Sequence, residues 1–401
     1  MQDIKFEALK KVAEVSFKYQ DIKKISQIDS VSPPSVFIGS KLRYPKMNVG
    51  ILSPLEGDKD AWIYDDAKYW AENDLGISDV LRLREGLLNS RFLSQATDAR
   101  LNKKFLEISR EIAVASKPVD IEIQLKKRVS VGRKPDKVLT GHGMRAPLKK
   151  ARITSNVKIH RKVDKVINDD LKAVQGIEYL YKNHFDEYTL TNILSIGALG
   201  LKKNKRLVPT RWSITATDDT LGKHLLNSVR DYKWIEDYEL FFGEFMGNQY
   251  LIMLFPNVWT YELFELYFPG SSWNPSNELK ACTDYENYFG RKTYASQCAG
   301  GYYATRLPLL EYLNKIKRQA SVLVIRLETP TYWASLGVWV VRESVRKALS
   351  NREMKFDSRE DLINSVKQVG KIKYNFDCQQ ILDKSKLLKQ AETQRSLGEW
   401  V

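Results

Sequence analysis

Cysteine is scarce in this chain. Cys282, Cys298 and Cys378 are the three present, and the first 281 residues hold none. No two stand at the spacing of a zinc ribbon or a redox CxxC pair, so both are excluded as local motifs, and the thiols read as small, partly buried side chains. Long apolar runs are missing as well. Nothing approaches the roughly eighteen consecutive apolar residues a membrane helix needs, and the start, Met1 to Glu7, has no apolar stretch behind a basic leader. An intracellular protein, with no membrane partner, is expected. Histidine is thin: His142, His160, His184 and His224 are widely separated, no HxxxH or HExxH occurs, and only His142, between two glycines, looks exposed. GxxxxGK[ST] is absent too, which removes a P-loop ATPase.

What is abundant is positive charge. Lysine and arginine number 64 against 49 acidic residues, a net charge of +15. That balance points to a polyanionic partner and says nothing about fold. The surplus is local: residues 126–165 carry fourteen basic and two acidic side chains. Lys126, Lys127, Arg128, Arg133, Lys134, Arg145, Lys149, Lys150, Arg152, Arg161 and Lys162 are the candidate nucleic-acid contacts. Interspersed glycine and proline make much of the stretch loop, suited to phosphates rather than base edges.

Hydrophobic periodicity predicts an amphipathic helix over 3–25, an extended segment at 36–39, helices over 76–90 and 97–115, and an alternating strand over 119–126. Further helices are expected at 163–185 and 187–200, then a strand at 211–216, with Asp218 or Asp219 capping a helix that runs to Arg230. Residues 238–268 read as an antiparallel meander with Gly247-Asn248 as a turn. Helices at 304–319 and 340–350 flank a short strand at 321–327. Strand runs beside separate helices give an α+β class: a mixed core with a meander, flanking helices and a flexible C-terminal tail. The expected division is a mainly helical region 1–118, a core 119–379 containing the basic stretch, and a polar, lysine-rich tail 380–401 with a marginal helix.

Asp218 and Asp219, beside Arg211, Ser213 and Thr215, form the best polar cluster. Paired carboxylates can hold a divalent metal for phosphodiester hydrolysis, whereas two aspartates before a helix also serve as cap and first-turn charge. Arg211 and Arg306 are candidate phosphate clamps. Tyr302-Tyr303, after two glycines, suits base stacking or core packing. Outside the nuclease alternative, no cofactor or metal is expected.

Several blocks together resemble the archaeal Nre DNA repair family. They are Ser32 to Gly39, Tyr44-Pro45-Lys46 with Val49-Gly50, Val208 to Asp219, Gly301 to Arg306, and Leu336 to Trp339. The block from Val208 to Asp219 is the most specific, and the likeness spans residues 32–350 and the C-terminal tip. The resemblance implies a role in surviving DNA damage and an interaction with the replication sliding clamp, and it assigns no reaction. Many members carry an N-terminal four-cysteine zinc finger, which this chain lacks.

The chain ends Gln394-Arg395-Ser396-Leu397-Gly398-Glu399-Trp400-Val401, similar to a clamp-interaction box. One tight helical turn puts Leu397 and Trp400 on the same side, to plug an apolar pocket, while Gln394 offers a donor and an acceptor. Val401 stands where a second aromatic is usual, a loss of about 2 kcal/mol if that anchor is a hot spot. The functional expectation is a DNA repair factor, nucleoid-associated in the cytoplasm, that binds the clamp through Gln394, Leu397, Trp400 and Val401 and DNA through its basic region. A metal-dependent nuclease using Asp218 and Asp219, or an RNA-associated protein, are the alternatives.

Overall fold

A computed structural model describes residues 26–39, 44–55, 57–127, 129 and 143–393, without side chains for 391–393. The helix expected over 3–25, the loop cations Arg128, Arg133 and Lys134, His142 and the ending 394–401 lie outside these residues. The fold is α+β, and the chain divides between Leu221 and Gly222 into two compact units.

The N-terminal unit is built on β1 (Gln27–Ser32), β2 (Val36–Gly39), β3 (Lys46–Pro54), α1 (Ala67–Glu72), α2 (Ile77–Glu85), β4 (Leu87–Gln95), α3 (Lys104–Val114), β5 (Val119–Leu125) and β6 (Arg145–Ile153). Three helices follow, α4 (Arg161–Asn168), α5 (Ala173–Lys182) and α6 (Glu187–Ser195), and α7 (Thr210–Val229) begins here. The strands form one sheet in the order β1-β5-β6-β4-β3-β2. Alternation in β5 buries Ile121, Ile123 and Leu125 against Ile108 and Ile112 of α3. Because β5 pairs with β1, a boundary at 118 would cut this sheet. Among the described residues up to 118, four strands stand beside three α-helices, so that part is mixed and not mainly helical. The helix expected over 76–90 stops at Glu85, and Leu87 begins a strand instead.

A second correction concerns 211–216, which belong to α7 and not to a strand. Pro209 starts the helix, its carbonyl accepting from the N–H groups of Trp212 and Ser213. The buried positions Ser213, Thr217, Leu221 and Leu225 recur every four residues. Two of those four are hydroxyl-bearing, so the 3.6-residue period carried little hydrophobic signal.

The C-terminal unit contains β7 (Tyr238–Phe245), β8 (Asn248–Phe255), β9 (Thr260–Tyr267), β10 (Lys280–Glu286), α8 (Gly300–Ile316), β11 (Ser321–Glu328), α9 (Trp339–Ser350), β12 (Met354–Phe356), α10 (Arg359–Tyr374), α11 (Gln379–Leu382) and α12 (Lys386–Thr393). Its sheet runs β10-β9-β11-β8-β7-β12. β7 and β8 form the expected hairpin, turning at Met246 and Gly247, whose φ values of 49° and 73° fit a type I′ turn. The meander stops there. β11 lies between β8 and β9, antiparallel to one and parallel to the other, and all eight of its residues are buried.

One face of this sheet is apolar: Leu251, Met253, Leu266, Leu323 and Ile325 pack with Leu362, Val366, Ile381 and Leu382. Leu387 and Leu388 of α12 join them, each worth about 1.5–3 kcal/mol of burial. The start of the lysine-rich stretch beyond 380 is therefore docked, down to α12. The opposite face is mixed: Ile252, Leu254, Leu263, Val322 and Val324 are buried on it beside Glu265, Arg326 and Glu328, and it meets α8 at Gly301 and Tyr302.

Glu239, on β7, is buried, and that burial pushes its carboxyl up to about 7. The folded state thus keeps this proton to higher pH than the unfolded chain does, so stability falls as pH rises from about 4.5 to about 7. Glu239→Gln is expected to remove that slope, a gain on the order of 1–2 kcal/mol above pH 7 once screening is allowed for. Urea unfolding of both proteins across pH measures it, and parallel pH profiles would refute it.

Candidate functional site

The site with the chemistry for a polyanion lies on the N-terminal sheet, where β4 and β6 separate. These parallel strands pair over only three positions, Asn89 with Arg145, Ser90 with Ala146 and Arg91 with Pro147. Pro147 has no N–H to continue a ladder, and its carbonyl instead accepts from Lys126 N–H at 2.8 Å. Beyond it β6 follows β5, with a register shift between Gln124 and Leu125, and a groove of about 750 Å³ opens.

Among the described residues, five basic ones line this groove and no acidic one: Arg91, Lys103, Lys104, Lys126 and Arg145. Phe92, Phe105 and Leu148 supply apolar surface, and Leu93 on the rim is 72% exposed. Phe92 and Phe105 are in ring contact, centroids 5.6 Å apart.

Arg91 is the best-positioned cation. Its Nε donates to Asn89 Oδ1 at 3.1 Å, and its guanidinium lies 6.0 Å from the Phe37 ring. Gly50 stands opposite Arg91 in the register, and a Cβ there would fall 2.0 Å from Asn89 Oδ1. Glycine is what lets Asn89 occupy the place from which it holds Arg91. Burial, with the neighbouring charge of Arg145, lowers the Arg91 guanidinium to about 10. Two cations set side by side in a partly desolvated groove fit an anion better than they fit each other. Lys103 is also held, by Asp98 at 2.7 Å.

Of the cations singled out from sequence, the structure brings Lys126 and Arg145 into this groove. Lys149 and Lys150 are exposed farther along β6, where Arg152 pairs with Glu122 at 2.9 Å. Lys127 is exposed just past β5, Arg161 and Lys162 are exposed at the start of α4, and Arg211 at the start of α7. Arg306 is different: it is buried in α8 with Nε 2.7 Å from Glu286, away from any surface phosphate. Tyr302 and Tyr303 are buried too, so of their two readings core packing holds. Arg91, Lys103 and Lys104 were missed. The Lys103-Lys104 doublet was the only local signal, since strand pairing gathers these groups from distant parts of the chain.

Asp218 and Asp219 sit inside α7, not at its start, so neither caps it. Asp218 is 2% exposed. Adjacent helical residues project about 100° apart, a poor arrangement for one shared ion. Among the described residues, the single group of three converging metal-ligand side chains lies elsewhere, at Glu265, Cys282 and Cys298. Two cysteines sixteen residues apart thus meet, contrary to the reading from local spacing. No helix among the described residues is long and apolar enough to cross a membrane.

Comparison with known proteins places this geometry in a family. Residues 4–274 match the family model for the N-terminal part of archaeal Nre, and residues 286–400 match that for its C-terminal part. The chain is 39% identical to DNA repair protein NreA of Haloferax volcanii over 339 residues, covering 83% of this chain and 80% of that protein. It is 38% identical to DNA repair protein NreA of Archaeoglobus fulgidus over 352 residues, 87% and 88% of the two chains. Against DNA repair protein NreB of Archaeoglobus fulgidus the identity is 36% over 372 residues, 92% and 91%. No solved structure matches. On these matches the chain belongs to the archaeal Nre family.

Proposed function

We propose that this chain acts in DNA repair as a DNA-binding factor tethered to the replication sliding clamp. The groove holds the phosphate backbone, and the ending Gln394, Leu397, Trp400 and Val401 docks on the clamp. One observation carries the DNA half: a groove lined, among the described residues, by five cations and no carboxylate, with Arg91 and Arg145 placed side by side. The clamp half is supported by the residue types and spacing at the C-terminus, and the repair role by the names of the relatives. The two contacts reinforce each other, because a clamp already encircling DNA raises the effective concentration of duplex at the groove.

The test is fluorescence anisotropy of a labelled duplex with the full chain over a salt series. If each groove cation meets one phosphate, log K falls with log salt with a slope of about −3 to −5. A slope near zero, or single-stranded RNA binding more tightly than DNA at matched salt, overturns the assignment. Removing residues 394–401 is expected to abolish co-purification with the clamp while leaving the salt slope on naked duplex unchanged. Retention on clamp-coupled resin by the truncated chain would refute that docking mode.

A further inference from the structure

The face of the C-terminal sheet that meets α8 buries the charged side chains Glu265, Arg326 and Glu328. Strand register puts Glu265 of β9 opposite Cys282 of β10 on one side and Arg326 of β11 on the other. Cys298 reaches the same point from the segment before α8. The thiols are 3.3 Å apart, Cys282 Sγ lies 3.9 Å from Glu265 Oε2, and the three ligand atoms all fall within 4.8 Å of one another.

Glu265 and the backbone of Cys298 are held by neighbours. Tyr267 Oη donates to Glu265 Oε2 at 2.8 Å, and Arg326 pairs with the other carboxylate oxygen. Asp284 accepts from Cys298 N–H at 2.8 Å and Gln297 N–H at 3.0 Å, and is itself fixed by Arg291 at 3.0 Å. A Cβ on Gly301 would fall 2.3 Å from Glu265 Oε1, so this glycine leaves the carboxylate its place. Ala299, next to Cys298, has φ 46°, a conformation L residues rarely adopt.

We propose that Glu265, Cys282 and Cys298 form a zinc site in the C-terminal unit, with the fourth position open to water. Two soft sulfur ligands with one carboxylate select zinc over the hard cations magnesium and calcium. In tetrahedral zinc geometry two thiolate sulfurs stand about 3.8 Å apart, so the thiols need part by only about half an ångström. Binding forms two Zn–S bonds and one Zn–O bond and releases both thiol protons to water. One divalent cation thus replaces two protons, and the buried network keeps its net charge. The hydrogen bonds from Tyr267 and Arg326 act as the outer support that orients a ligating carboxylate. Cys282, half-buried on edge strand β10, gives the ion its way in.

The test uses the full chain, reduced and stripped of metal, titrated with cobalt(II) as a coloured stand-in and then with zinc. The expected result is a thiolate-to-cobalt charge-transfer absorption that saturates at about one equivalent and is bleached by zinc. Cys282→Ser and Cys298→Ser are each expected to lose most of that absorption. Tyr267→Phe keeps both thiols and is expected to retain the band with about 10- to 100-fold weaker binding. Circular dichroism verifies that each variant is folded. Folded, reduced chain that gives no charge-transfer band overturns the site, as does a band that survives in both cysteine variants. A chain that isolates with Cys282 and Cys298 joined as a disulfide and, once reduced, binds no cobalt also overturns it.

Discussion

Replacing Arg91 and Arg145 together by glutamine is expected to weaken duplex DNA binding by about 10- to 100-fold at moderate salt. The slope of log K against log salt should flatten by about two, roughly one for each lost phosphate contact. The effect should be uniform across sequences, because backbone contacts position a duplex without reading it. A stability measurement separates a ligand-binding pair from a structural one. Arg91 is partly desolvated beside a second cation, so each arginine raises the electrostatic cost of the other in the free chain. Glutamine relieves that repulsion while keeping a hydrogen-bonding side chain at each position, and the double variant should stay within about 1 kcal/mol of the native chain in urea unfolding. Loss of binding together with a large loss of stability would mean that the arginines hold the sheet and not a phosphate. Unchanged binding would remove the groove from the function altogether.

The second large effect is expected at Arg326. This guanidinium is buried on β11 between two carboxylates, its Nη1 paired with Glu265 and its Nη2 3.0 Å from Glu328, and its Nε and Nη2 both donate to Asn248 Oδ1, at 3.0 and 2.6 Å. Burying the ions costs several kcal/mol each, and the network offsets that only while it is complete. Arg326→Met strands two buried carboxylates and is expected to destabilise the C-terminal unit by about 3–5 kcal/mol. Adding Glu265→Gln and Glu328→Gln removes the stranded charges and should recover much of that loss. Urea unfolding followed by tryptophan fluorescence measures both steps. A single-variant cost below about 1 kcal/mol would show that water reaches the network and that it is no part of the core.

Much was legible in the sequence because it depends on near neighbours. Alternation over Val119–Leu125 marked a half-buried strand, and Met246-Gly247, one residue from the expected turn, closed the β7/β8 hairpin. The α+β class followed from counting such local periods. Likewise the basic surplus, the family blocks and the C-terminal motif are matters of residue type and spacing and require no fold to be seen. Local patterning failed where burial was polar. Ser213 and Thr217 give α7 a buried face that hydropathy does not register, and Glu265, Arg326 and Glu328 are buried on strands that also bury Leu263, Val322 and Val324 on the same face, so charge there does not mark a solvent side.

What tertiary structure alone decided is which distant segments meet. The insertion of β11 between β8 and β9 ended the meander, and with it came the juxtaposition of Glu265 with Arg326 and Cys282. In the N-terminal unit, Arg91 from β4, Lys103 and Lys104 from the start of α3, and Arg145 from β6 share one groove because β4 and β6 pair briefly and then part. A strand's own sequence sets which residues share a face. Its partner and register are chosen by the burial and hydrogen bonding of the whole sheet, and no window along the chain contains that choice.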